Sequence, residues 1–177
     1  MGRVAAVVLA AGEASRFGSP KQNLLLPRVL ERLAHAPVDE IVVVEGAHAL
    51  DRASNSVLQS PRVRVVACPA WMDGPGASLR CGLAALAGDV AAAVVVLADG
   101  PNLAIEAIAR TLDVWHRRDG IVAASYDGAR GHPLVLGRED WADIPDEGLR
   151  DRPVALVPCD DLGPPGDVDR PEDLGAP

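Results

Sequence analysis

Apolar residues recur along the chain in two rhythms. Nearly unbroken apolar runs stand at Arg3 to Leu9, Ile41 to Val44, Val63 to Ala67, Ala92 to Ala98 and Ile121 to Tyr126. Short apolar, often β-branched runs bounded by turn signals read as strands, and continuous runs as strands buried on both faces. Other stretches carry helical spacing. Pro27 to Ala36 predicts a short helix, with Val29, Leu30 and Leu33 on one face and Pro27 near its first turn. Ala47 to Gln59 predicts a second helix, and the Ala/Leu-rich stretch from Ala77 a third. Leu103 to Asp119 predicts a long amphipathic helix, capped by Asn102 and stopped by Gly120. Strands alternating with helices predict an α/β fold of the Rossmann-like kind. Its sheet should be mixed but predominantly parallel, flanked by helices, with right-handed crossovers. Such sheets bind ligands beyond the C-terminal ends of their strands.

The segments just after the apolar runs are therefore the places to look for chemistry. After the first run come Leu9-Ala10-Ala11-Gly12, then Arg16, Gly18 and Lys21. A turn of small residues at a strand end exposes backbone N–H groups, which suits an anionic phosphate. Two familiar phosphate loops are excluded. Ser19 and Pro20 separate Gly18 from Lys21, which breaks the Gly-x-x-x-x-Gly-Lys-Ser/Thr pattern. Glu13-Ala14-Ser15 come after Gly12, which breaks Gly-x-Gly-x-x-Gly. The bland alternative is a β–α turn with two solvated cations.

Leu9-Ala10-Ala11-Gly12 with Arg16, Gly18 and Lys21 resembles the loop Leu-Ala-Ala-Gly-x-x-x-Arg-x-Gly-x-x-Lys of the small nucleotidyltransferases. Within that superfamily the chain is most similar to the molybdenum cofactor cytidylyltransferases, over nearly its whole length. The resemblance implies a single nucleotidyltransferase-like domain over residues 1–177. It implies that Leu9, Ala10, Ala11 and Gly12 hold a triphosphate, with Arg16 and Lys21 stabilising its charge as catalytic residues. Ala11 points to CTP, where Gly at that place is linked to guanosine transfer. The family's usual Gly-x-Pro-Leu-Leu after the lysine is missing here. Leu24-Leu25-Leu26 runs directly into Pro27, so that side of the cleft is several residues short.

Asp73-Gly74-Pro75-Gly76-Ala77-Ser78-Leu79-Arg80 resembles a family loop that contacts base and ribose, with Pro75 and Gly76 replacing Met and Ser. Ser78 could cap a helix or face the nucleotide. Arg80 could reach the triphosphate or remain a solvated helix residue. Asp99-Gly100-Pro101 succeeds the fourth apolar run, and a carboxylate at a strand end is well placed for Mg²⁺. An aspartate that merely starts a turn is the common alternative. The resemblance gives Asp99 the metal and a catalytic role, and makes Mg²⁺ the implied cofactor. Gly131-His132-Pro133 resembles a triplet of the molybdopterin branch, and implies an acceptor-binding role for these three residues. An isolated histidine is otherwise more often structural. Asp167 to Leu174 resembles the family's closing motif, in which Asp169 lies near the metal. A helix start with Pro171 at its first position explains the same residues.

Composition changes the picture in three places. At 177 residues, 49% hydrophobic but only 3% aromatic, the chain suits one domain with a core of Ala, Val and Leu. A net charge of −8 argues against general nucleic-acid or anionic-membrane binding, which needs a basic face. Cys68, Cys81 and Cys159 are scattered and form no CxxC pair, which predicts buried, reduced thiols in a cytoplasmic protein. The first apolar run is too short to span a membrane. The tail from Gly163 is turn-rich and expected to be loosely ordered in part.

The expected activity is transfer of a nucleoside monophosphate, CMP from CTP, to a phosphate-bearing acceptor with release of pyrophosphate. Molybdopterin is the favoured acceptor. A sugar phosphate or other small phosphate is the alternative within the enzyme class. The alternative outside it is a non-catalytic carrier that matures a molybdenum enzyme, which would then be its partner.

Overall fold

The computed structural model describes residues 2–12, 21–53 and 55–166, with side chains in the first helix described from residue 24 onward. The described residues form one seven-stranded sheet with helices on both faces. In chain order the elements are β1 (Arg3–Ala10), α1 (Lys21–Ala34), β2 (Glu40–Glu45), β3 (Val63–Ala67), α2 (Pro75–Ala84), β4 (Val90–Leu97), α3 (Ile105–Trp115), β5 (Val122–Tyr126), β6 (Ala129–Gly137) and β7 (Ala155–Pro158). Across the sheet the order is β3-β2-β1-β4-β6-β5-β7. Strand β6 runs antiparallel to β4 and β5, and the remaining pairs are parallel.

Alternation along β1 explains the two-layered core. Val4, Ala6, Val8 and Ala10 pack with the apolar face of α1 and with Ala107 and Ile108 of α3. Ala5 and Val7 point to the opposite face and pack with Leu79 and Leu83 of α2. Successive side chains of a strand face opposite ways, so a strand covered on both sides reads as one apolar run. Helix α2 approaches closely at Gly82, where a Cβ would stand 2.5 Å from a Val7 methyl.

The helices depart from expectation where tertiary contacts decide. Helix α1 begins at Lys21, so Pro27 lies inside it. Leu25, Leu26, Val29, Leu30 and Leu33 are all buried on one face. That stripe carries the helix through a proline which removes one ladder hydrogen bond. The described residues of the stretch 47–59 form turns rather than a helix, with a 3-10 turn at Ser56–Gln59 capped by Asn55. The Glu45 carboxylate accepts from the Leu50 N–H at 2.8 Å, and Asp51 accepts from the Ala53 N–H at 3.1 Å. Side-chain acceptors of this kind compete with the helical ladder. Helix α3 starts at Ile105 with Ala104 as its N-cap residue, and the Asn102 N–H donates to the Pro165 carbonyl at 2.9 Å.

The cysteine expectation is corrected. Cys68 and Cys81 are joined as a disulfide, and Cys159 is buried and free. Thirteen residues of separation suggest no pair, yet the end of β3 and the middle of α2 bring the two Cα atoms to 5.8 Å. Residues 163–166 of the tail are docked against the Gly100–Asn102 turn. Among the described residues no helix is long and apolar enough to cross a membrane.

Candidate active site

The ends of β1 and β4 lie side by side, and the Ala98 N–H donates to the Leu9 carbonyl at 3.1 Å. Ala10, the last residue of β1, and Ala11 after it are buried, and Gly12 emerges to solvent. The end of β2 presses on this loop. The Ala47 N–H donates to the Ala11 carbonyl at 3.2 Å, and a Cβ on Gly46 would stand 2.7 Å from that same oxygen. Arg16 and Asp169 lie outside the described residues, and Lys21 is described only as the first residue of α1.

Helix α2 meets the same edge. Gly74, at φ 138°, is its N-cap residue, and Ser78 lies buried inside the first turns, so Ser78 is not the cap. Gly74 and Gly76 are demanded by the turn at Pro145 to Gly148. A Cβ would stand 2.3 Å from the Asp146 carbonyl oxygen at Gly74, and 1.8 Å from the Pro145 carbonyl oxygen at Gly76. The Gly76 N–H donates to the Asp146 carbonyl at 2.9 Å. Arg80 completes this clamp, donating to the Ile144 carbonyl and the Asp146 carboxylate. Its guanidinium thus holds the turn against the helix.

Asp99, half-buried, stands directly after β4. Across from it β6 carries Gly131, His132 and Pro133 through a shift in its register with β5, with a cis peptide bond between His132 and Pro133. A cavity of about 450 Å³ opens here. Its walls include Val96, Leu97, Leu103 and Tyr126, with Arg130 and His132 on the β6 side and Pro164 to Gly166 across it. Gly131 has no room for a side chain, because a Cβ would stand 2.9 Å from the Tyr126 ring. The Tyr126 hydroxyl donates to the His132 carbonyl at 3.1 Å, and burial pushes its pKa up to about 12. Burial brings the His132 imidazole down to about 4; Arg130 pushes the same way and Asp99 opposes it. His132 is therefore neutral near pH 7. It can exchange a hydrogen bond without adding charge beside Asp99.

The structure thus gathers Leu9 to Gly12, Asp99, Gly131, His132 and Pro133 along one edge of the sheet. It ties Arg80 to the turn after β6. Sequence reasoning missed Arg130, which also lines the cavity and which no local pattern announces. It also missed the docking of Pro165, which no local pattern announces. Among the described residues no group of three or more His, Cys, Asp or Glu side chains is arranged for a metal ion.

No curated protein sequence matches the chain. Solved structures do. Rv0371c from Mycobacterium tuberculosis H37Rv superposes with a TM-score of 0.76 at 27% identity, over 98% of this chain and 96% of that one. A complex of Rv0371c with manganese superposes at 0.65 and 25% identity, over 88% of each chain. A 4-diphosphocytidyl-2C-methyl-D-erythritol synthase from Anaerococcus prevotii DSM 20548 shares the fold at a TM-score of 0.71 and 16% identity, over 98% of this chain and 93% of that one. Residues 6–157 match the family model of the MobA-like NTP transferase domain, and to that family the chain belongs.

Proposed function

We propose that the chain transfers CMP from CTP to a phosphate monoester, molybdopterin being the favoured acceptor, and releases pyrophosphate. The observation that carries this reading is convergence. The glycine loop after β1, the Asp99 turn after β4 and the cavity beside His132 share one sheet edge, bridged by the Ala98 to Leu9 hydrogen bond. That is where open α/β sheets bind their ligands.

In this reading Leu9, Ala10, Ala11 and Gly12 cradle the triphosphate, and Ser78 faces base and ribose. Gly131, His132 and Pro133 line the acceptor's place. An acceptor phosphate oxygen attacks the α-phosphorus. A new P–O bond forms, the bond to the bridging oxygen breaks, and pyrophosphate departs with the electron pair. Positioning and charge neutralisation dominate such transfers, so no covalent nucleophile is required. Arg16 and Lys21 offset charge on the α-phosphate and the leaving group. Arg80 keeps the turn at Pro145 in place instead of touching the triphosphate.

A divalent cation fits the donor chemistry. Mg²⁺ is commonly held by one or two carboxylates together with substrate phosphates. Asp99 supplies one carboxylate at the strand end, and Asp169 is the second in this reading. When bound, the ion would neutralise phosphate oxygens. The manganese complex of Rv0371c supports a divalent site. Choice of CTP rests on Ala11.

The test is pyrophosphate release from CTP, GTP and ATP with Mg²⁺ and molybdopterin. We expect release with CTP, and a loss of about a hundredfold, near 3 kcal/mol, in Lys21→Ala or Asp99→Ala. Turnover confined to a panel of sugar phosphates would overturn the acceptor. Tight molybdopterin binding without any CTP binding would replace the enzyme by a carrier serving a molybdenum enzyme.

A further inference from the structure

The Cys68–Cys81 bond encloses one segment of the chain. Cys68 stands directly after β3, where its N–H donates to the Glu45 carbonyl at 2.8 Å. Cys81 lies in α2 beside Gly82, where a Cβ would stand 2.5 Å from a Val7 methyl and 2.9 Å from a Val44 methyl. Both ends of the bond are thus anchored on the sheet. Between them run a 3-10 turn at Trp71–Asp73, the Gly74 N-cap and the first turns of α2 with buried Ser78. The turn is held mostly by itself. The Trp71 N–H donates to the Cys68 carbonyl at 3.2 Å, the Asp73 N–H to the Ala70 carbonyl at 3.0 Å, and the Gly74 N–H to the Trp71 carbonyl at 3.4 Å. Among the described residues its hydrogen bonds reach no farther than Cys68 and Gly74. Met72 is 76% exposed, so its side chain adds little packing. Trp71 alone touches the loop after β1: a Cβ on Gly46 would stand 2.7 Å from both the Trp71 Cβ and the Ala11 carbonyl oxygen.

We propose that this disulfide is a redox gate on the nucleotide side of the site: closed, it holds the Trp71–Asp73 turn and the start of α2 ready for a nucleoside triphosphate, and reduction releases them. This rests on the transferase reading above and adds a control to it. The two sulfurs differ in access, since Cys68 is buried and Cys81 half-buried. The reductant is a dithiol, and its thiolate attacks the Sγ of Cys81. A mixed disulfide forms there, the Cys68–Cys81 bond breaks, and Cys68 leaves as a thiolate that takes up a proton. The second thiolate of the reductant then displaces Cys81. The dithiol ends as a disulfide, and the protein has gained two electrons and two protons. The released Cys68 thiol has an acceptor at hand, because its Sγ lies 3.6 Å from the Ala77 carbonyl oxygen. Buried thiols pack as small hydrophobes, so the reduced chain keeps its core. What changes is the segment between the cysteines. A loose segment loses conformational entropy when a ligand orders it, whereas a cross-linked one has lost it beforehand. Disulfide staples belong chiefly to small domains without a sufficient core, and this chain has a two-layered one.

The test is calorimetric binding of CTP with Mg²⁺ to the full chain, first oxidised and then reduced by dithiothreitol, with free thiols counted in denaturant. Only Cys159 should titrate in the oxidised chain, and all three cysteines in the reduced one. Reduction should weaken CTP binding by about tenfold, and reoxidation should restore it. The double variant Cys68→Ala with Cys81→Ala should bind CTP as reduced wild type does, with or without reductant. Cys159→Ser should switch as wild type does. Equal CTP binding by the oxidised and reduced chains would overturn the proposal. Free thiols at all three cysteines after oxidation would overturn it as well. A reduced chain that unfolds at the assay temperature would do the same, by making the bond a structural staple. Amide hydrogen exchange over residues 69–78 separates this inference from its parent. Pyrophosphate release from CTP that ignores the redox state sinks the gate and leaves nucleotidyl transfer standing. Faster exchange over those residues on reduction, without nucleotide binding in either state, does the reverse.

Discussion

At the scale of single residues, His132 combines a position in the cavity with a proton it does not keep. Its pKa lies at about 4 in the folded chain against an ordinary 6.5. Between those values the unfolded chain binds a proton that the folded chain refuses. Stability contributed by the neutral imidazole is thus complete above pH 6.5 and is lost as pH falls toward 4. The loss is at most about 3 kcal/mol. Other groups titrate in the same window, so the informative quantity is a difference between proteins. We expect the stability gap between wild type and His132→Gln to shift in the variant's favour as pH drops from 7 to 4, measured by urea unfolding. A gap that stays constant would mean that the folded chain protonates His132 normally. Arg130 shows the limit of reading residues in isolation. In sequence it is one more charged residue before a glycine. Three backbone carbonyls, contributed about twenty positions later, turn it into a fixed wall of the cavity.

At the scale of elements, the Cys68–Cys81 bond ties the end of β3 to α2, the helix that carries Ser78 and the clamp of Arg80. Closing a loop of that length stabilises by about 3 kcal/mol through the unfolded state. Reduction, or Cys81→Ser, should lower the melting temperature by roughly 6 to 12 °C. Cys159→Ser should retain that response to reductant. A melting temperature indifferent to reductant in the wild type would show the bond to be absent in solution. The bond also marks where sequence reading stops. Strands were legible because burial on both faces leaves a continuous apolar run, as in Val94 to Val96. Helix ends were not, because each depends on a distant partner. The Glu45 carboxylate holds the stretch at Leu50, the Pro165 carbonyl holds the segment before α3, and buried leucines carry α1 through Pro27. The site was legible where a motif stands directly after a strand or within one, as at Asp99 and His132. It was illegible where two loops meet, as at Gly76, whose missing side chain is explained only by the carbonyl of Pro145.

At the scale of the whole molecule, two apolar layers share one sheet, and neither can exist without it. Trp115 packs against the layer under α1 and α3, whereas Trp71 and Trp141 pack against the layer under α2. Because β1 and β4 contribute alternate residues to both layers, loss of either layer exposes strands that the other needs. Unfolding should therefore be a single cooperative transition. Trp115→Phe leaves tryptophan emission from the α2 side, and the double variant Trp71→Phe with Trp141→Phe leaves it from the opposite side. In each variant, the denaturant curve from fluorescence should superpose on the curve from far-ultraviolet circular dichroism. Removing Trp141 also removes its Nε1 bond to the Leu136 carbonyl and its stacking under Arg138, so that variant's midpoint should fall. The comparison is therefore made within a variant and never between variants. Two midpoints in either protein would mean that one face loosens first, and the sheet would no longer be the unit that holds the loop after β1, Asp99 and the cavity in register. Coincident curves would mean that the edge carrying Asp99 and the cavity is as stable as the sheet itself.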